Sequence, residues 1–140
     1  MPRAAATREL LAAPEDVWEF LAEPRHFADW WPRIAAVEPD RRGLAPGARW
    51  VVHASPAPKL FRKSGFSGTL LVRTVRPCEL FAWTLTGDNL EAELHLSATA
   101  PDRTQALLEV RAPFLAPLPR SLPRRALARL HELCQTAARM

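Results

Sequence analysis

From Ile34 onward the chain alternates apolar and polar residues with a period of two. The clearest run sets Leu90, Ala92, Leu94, Leu96 and Ala98 against Glu91, Glu93, His95, Ser97 and Thr99. After a Pro-Asp-Arg turn, Thr104, Ala106, Leu108, Val110 and Ala112 alternate with Arg103, Gln105, Glu109 and Arg111. Successive side chains of a strand point to opposite faces, so this pair predicts an antiparallel hairpin with one apolar and one wet face. Its register is open; one pairing sets Glu91 and Glu93 opposite Arg111 and Glu109. Shorter runs predict four more strands. They are Ile34–Glu38, Ala48–Ala54 with Trp50 and Val52 on one face, Phe66–Val75 with Phe66, Leu70 and Val72, and Leu80–Thr86 with Phe81, Trp83 and Leu85. Ser55–Gly65 reads as a long polar loop, and Gly87–Asn89 as a hairpin turn.

Ahead of Ile34 the spacing is helical. Ala4–Ala12 is a plausible first strand, weak by propensity because of its alanines. Pro14 then takes a favourable first helical position, with Glu15 and Asp16 facing the positive end of the helix dipole. Over Pro14–Ala22, the residues Pro14, Val17, Phe20 and Leu21 share a face, with Trp18 at its edge. A second short helix is expected over Pro24–Trp31. Phe27, Trp30 and Trp31 lie on one side of it, and His26, Arg25 and Asp29 elsewhere. Pro32 disfavours helix at the residue before it and supplies the stop. Near the end, Ser121 is a good cap for a helix running to about Ala138. Its apolar arc is centred on Leu130 and holds Ala126, Leu127, Leu133, Cys134 and Ala137. Arg124, Arg125, Glu132, Gln135, Thr136 and Arg139 lie opposite.

These elements define an α+β chain, expected as a single domain over residues 1–140. A curved antiparallel sheet of about six to seven strands is joined by two short N-terminal helices and a long C-terminal helix. The apolar face of such a sheet needs a cover. The terminal helix is the only long amphipathic element, so it should lie across the sheet, an arrangement that tends to leave a cavity between them.

The stretch AAPEDVWEFLAEPRHFADWWPRIAAVE resembles the opening of the START-like, or SRPBCC, superfamily of polyketide cyclase/dehydrase-like proteins. There a strand enters a Pro-Glu-x-Val-Trp helix, and a Phe and a Trp-Pro corner follow. GTLLVRTVRPCELFAWTL and LPRRALARLHELCQ are similar to its later strands and closing helix, so the likeness spans nearly the whole chain. The resemblance implies a helix-grip fold. It implies no single reaction, because such proteins include lipid carriers, cyclases and aromatases, and hydroxylase subunits. It carries no catalytic residue onto this sequence.

Composition narrows the classes further. Charged residues are 24% of the 140, and the net charge is +4. Arginine supplies nearly all the positive charge; Lys59 and Lys63 are the only lysines. The arginines are scattered, and the one cluster, Arg120, Arg124, Arg125 and Arg129, reads as a solvated helix face. This speaks against nucleic acid as a partner. No apolar run reaches the length of a membrane-spanning helix, and the N-terminus lacks the apolar core of a signal peptide. Cys78 and Cys134 form no CxxC pair and read as reduced thiols, which places the protein in the cytoplasm.

No phosphate-binding loop, nucleophile elbow or metal-spaced Cys/His group occurs, so no cofactor and no metal are expected. Among the histidines, His95 falls on a polar strand face, and His131 at the edge of an apolar arc. His53, beside the long loop, is the one best placed to approach a pocket mouth. The expected cavity set is Trp30, Trp50, His53, Phe66, Leu70, Val72, Phe81, Trp83, Leu94, Leu108, Leu127, Leu130 and Cys134, almost devoid of titratable groups. Thr74, Thr84 and Thr104 could add hydroxyls. The leading expectation is a binding protein for a small hydrophobic, lipid-, polyketide- or aromatic-like molecule. The alternatives are a polyketide cyclase/aromatase/dehydratase-like enzyme using the same cavity, and a protein-interaction module or homodimer, which would leave large tryptophans exposed.

Overall fold

The computed structural model describes residues 3–54, 67–86, 89–113 and 120–138. Strand β1 (Arg3–Leu10) leads into α1 (Pro14–Ala22), a 3-10 turn (Pro24–His26) and α2 (Phe27–Trp30). Six strands follow: β2 (Ile34–Glu38), β3 (Arg49–Ala54), β4 (Ser67–Arg76), β5 (Leu80–Leu85), β6 (Leu90–Ala100) and β7 (Arg103–Arg111). Helix α3 (Leu122–Ala138) closes the order. The strands form one antiparallel sheet in the order β1-β7-β6-β5-β4-β3-β2. This is the α+β architecture expected from the sequence pattern, and the helix-grip fold that the resemblance implies.

The β6–β7 pairing sets Glu91 opposite Arg111 and Glu93 opposite Glu109. On this outer face Arg111 holds Glu109 at 2.8 Å and reaches Glu93 at 3.6 Å. The inner face carries Leu90, Ala92, Leu94, Leu96, Ala106, Leu108 and Val110, all buried. Ala98 still pairs in register with the buried Thr104 but is exposed near the end of β6, just ahead of a register shift before Ala100. Alternation itself fails farther back in the chain. Between Val72 and Thr74 the β4–β5 ladder shifts, and Thr74 turns to solvent. An inserted residue moves every later side chain to the other face, so Thr74 supplies no hydroxyl to the interior.

The second predicted helix is tighter and shorter than its spacing implied. A 3-10 turn precedes four α-helical residues, and Trp31 already has extended backbone (φ −85°, ψ 121°), as the following proline requires. Phe27, Trp30 and Trp31 are nonetheless all buried. A long polar connection between β2 and β3 is held by Asp40. Its carboxylate accepts from the backbone N–H groups of Arg49 (2.8 Å) and Arg42 (3.0 Å), and these bonds hold its pKa below the usual carboxylate range. Gly47, at φ +84°, ends that connection, and its N–H donates to the Val72 carbonyl beside the β4 irregularity.

The sheet is covered from two sources. Helix α3 packs chiefly on β1 and to a lesser extent on α2 and β7, burying Ala126, Leu127, Leu130 and Cys134. Farther along the sheet, the rings of Phe27, Trp30 and Trp31 reach Trp50 of β3 and Trp83 of β5. Bulky aromatics thus let a one-turn helix shield strands that the length of α2 would not.

Thr104 is the one buried polar side chain among the described residues. Its hydroxyl donates to the Ala12 carbonyl at 2.8 Å, tying the β1–α1 junction to β7. Thr104→Val keeps the shape and strands that carbonyl. Urea unfolding should register a loss of about 1–3 kcal/mol. A change within about 0.5 kcal/mol would show that the bond contributes nothing net.

Candidate functional site

The inward face of the sheet and the facing side of α3 bring together most of the expected cavity set. Trp30, Trp50, Leu70, Val72, Phe81, Trp83, Leu94, Leu108, Leu127 and Leu130 are each at most 1% exposed, and Cys134 is 5% exposed. These side chains belong to one contiguous apolar cluster, which includes Leu10, Val17, Phe27 and Trp31. Phe66 lies outside the described residues. His53 is not brought in. It projects from the β3 face opposite Trp50 and Val52, and its Nε2 lies 3.0 Å from Glu38 Oε2, with both side chains well exposed. Thr84 also lies on the face opposite Trp83, half-buried.

Phe27 is the hub of the aromatic half of this layer. It stacks on Trp31 (5.4 Å between ring centres, 16°) and meets Trp30, Trp50 and Trp83 edge to face. Phe81 lies 4.4 Å from Trp83. Two buried indoles differ in one respect. Trp50 Nε1 donates to the Gly43 carbonyl at 2.9 Å, while Trp83 Nε1 is buried with no partner among the described residues. Trp18 is half-buried, so the exposed tryptophans that an interaction module would present are not found; Val51 is the exposed large apolar side chain among the described residues.

At the end of the layer where α1 meets the C-terminal half of α3, a groove of about 820 Å³ opens to solvent. Leu11, Phe20, Leu133 and Cys134 supply its apolar surface, and Asp16, Glu19, Glu23 and Asp102 its carboxylates. His26 also lines it, stacked on Phe20 at 4.2 Å. Its Nδ1 lies 2.8 Å from the Phe20 carbonyl, which can only accept, so Nδ1 carries the proton. Except for Cys134 these residues were outside the expected set. A signal for three of them was present: Asp16, Glu19 and Phe20 stand at i, i+3 and i+4 on one face of α1, and Glu23 caps its end.

Burial, with the charge of Asp16 adding to it, pushes the Cys134 thiol up to about 11. Cys78, in the β4–β5 turn, is also raised, by partial desolvation and then Glu15 and Glu79, but it is less buried. Since the thiolate is the reactive species, iodoacetamide at mildly alkaline pH should modify Cys78 first, and Cys134 only after denaturation. Mass spectrometry of the labelled peptides checks this; labelling of both at equal rates would show that the α3 end opens readily. Burial, and then the charge of Arg8, lower the pKa of His131, which lies half-buried on α3. No group of three or more His, Cys, Asp or Glu side chains is placed to hold a metal ion among the described residues.

A curved sheet gripped by a terminal helix around an apolar layer defines a helix-grip protein. More particularly, residues 1–133 match the family described as polyketide cyclase / dehydrase and lipid transport, and the chain belongs to that family. Comparison with curated proteins finds no significant match. Among solved structures, the chain is similar to NE0264 from Nitrosomonas europaea (18% identity, TM-score 0.71, covering 99% of this chain and 97% of that one). It is similar also to XoxI from Bacillus cereus (14% identity, TM-score 0.71, covering 99% of each). DynU16, from the dynemicin biosynthetic locus, aligns at 17% identity and TM-score 0.62, over 96% of this chain and 48% of that one. At such identities the likeness establishes the fold. No helix among the described residues is long and apolar enough to cross a membrane.

Proposed function

We propose that this protein binds a small hydrophobic molecule in the apolar layer between the sheet and its cover, α3 together with the Phe27–Trp31 segment, and that it holds this ligand without transforming it. One observation carries the reading: among the described residues the buried side chains of that layer are aliphatic or aromatic apart from the Cys134 thiol, and the one buried hydroxyl, on Thr104, is committed to Ala12. Such a layer solvates an apolar body, and its one titratable side chain among the described residues, the Cys134 thiol, is held protonated by burial at neutral pH, which leaves no general base there. The side chains pack against one another, so a ligand enters by parting α3 and the aromatic segment from the sheet. The groove beside Cys134 gives an approach from solvent to that layer. Family membership supports a ligand-binding or cyclase-like role, and the apolar layer favours binding. Two unpaired thiols fit action in the reducing cytoplasm.

The test is native mass spectrometry of the purified protein after equilibration with a total lipid extract and a panel of aromatic polyketides. Discrete one-to-one complexes are expected. A protein that emerges bare from both would overturn the reading.

A further inference from the structure

We infer that Trp83 is the polar anchor of the ligand site: its indole N–H donates to an acceptor oxygen on a neutral, largely apolar ligand of the ketone or ether class. The inference rests on the ligand reading above and adds the ligand's polar group to it.

Trp83 is fully buried on the inner face of β5, and its Nε1 has no hydrogen-bond partner among the described residues. Leaving a buried donor unsatisfied costs about 1–3 kcal/mol, which folded chains rarely tolerate without a use for the group. The neighbouring Trp50 shows the ordinary solution, a bond to the Gly43 carbonyl. Around Trp83 lie the rings of Phe27, Trp30, Trp31 and Phe81, at 4.4–6.0 Å between centres. A ring face is a weaker acceptor than an oxygen.

The same surroundings select the ligand's charge. No arginine, lysine or histidine is buried among the described residues, so a carboxylate brought to Trp83 would be left uncompensated. A carbonyl or ether oxygen accepts one N–H bond and carries no charge into the layer. Flat rings suit the site, because the shell already stacks and tilts aromatic planes against one another. Phe81 and Trp83 stand on a strand bonded on both sides, whereas Phe27, Trp30 and Trp31 come from a single helical turn and its cap. The latter wall yields when a ligand reaches the indole.

The test uses 9-fluorenone and fluorene, one tricyclic frame with and without the carbonyl, titrated into the wild-type protein and Trp83→Phe. The fluorenone-to-fluorene affinity ratio should fall about five- to tenfold in the variant, the range of one hydrogen bond. In the wild type, the assigned indole ¹⁵N–¹H resonance of Trp83 should move downfield with fluorenone and not with fluorene, a measurement independent of how well the variant folds. An unchanged ratio, or an unmoved resonance while fluorenone binds, would overturn the anchor and leave the ligand reading intact. Uptake of extract molecules with neither tricycle bound would overturn the assignment to this ligand class. A protein that takes up neither tricycle and nothing from the extracts loses both.

Discussion

Replacing Phe27 by alanine is expected to destabilise the protein by about 3–5 kcal/mol, the range seen when a large buried aromatic is deleted. The value belongs at the upper end of single-residue effects because of where the ring sits. It is 2% exposed, and it stacks on Trp31 while presenting edges or faces to Trp30, Trp50 and Trp83. Deleting it removes buried area and four aromatic pairings together, and no neighbouring rigid ring can collapse into the space. Urea unfolding followed by tryptophan emission measures the loss. Trp18→Ala, at a half-buried ring of α1, should cost less. If Phe27→Ala cost below about 1.5 kcal/mol, the cluster would be loosely packed and the aromatic cover of β3 and β5 would not be what holds that part of the fold.

The second large effect concerns the other cover. Leu130 is fully buried at the centre of the α3 arc. Leu130→Ala should cost about 2–5 kcal/mol and leave an apolar void between helix and sheet. An apolar void of that kind stays dry and accepts small hydrophobic molecules. Benzene at a hundredfold excess over its dissociation constant should therefore return about 2.7 kcal/mol to this variant, read as a rise in unfolding midpoint. A destabilised variant that gains nothing from benzene would mean that α3 settles onto the sheet and closes the space.

Most of the sheet was legible because period two is a direct record of which face is buried. The β6–β7 hairpin shows this best: the pairing of Glu91 with Arg111 and of Glu93 with Glu109 was one of the registers open to it, and it keeps both apolar sets inward. Thr74 departs from its expected face for the same reason in reverse. An irregularity inserts one residue and flips the faces beyond it, and nothing in the local composition marks it. The shared burial of Phe27, Trp30 and Trp31 follows from their spacing, although Trp31 reaches the core from extended backbone rather than helix.

The site was less legible. The apolar members of the expected set declare themselves by alternation, whereas nearness in sequence to a loop does not tell which face of β3 His53 takes. Its parity with Arg49 and Val51, on the outer face, was the better guide. Asp16 and Glu19 flank Phe20 on α1, but carboxylates on a short surface helix carry no mark of the groove beside them. The unpartnered N–H of Trp83 had no signal in the sequence at all. Whether an indole finds an oxygen depends on which carbonyl the fold brings within 3 Å or so, a tertiary fact.

The cover over this sheet comes in two leaves, α3 over β1 and β7, and the aromatic turn over β3 and β5. Every ladder hydrogen bond runs within the plane of the strands beneath. Lifting either leaf therefore breaks side-chain contacts and leaves the ladder whole. The strand register of the frame is thus set apart from the packing of the roof above it, whose two leaves also touch each other where α2 meets α3.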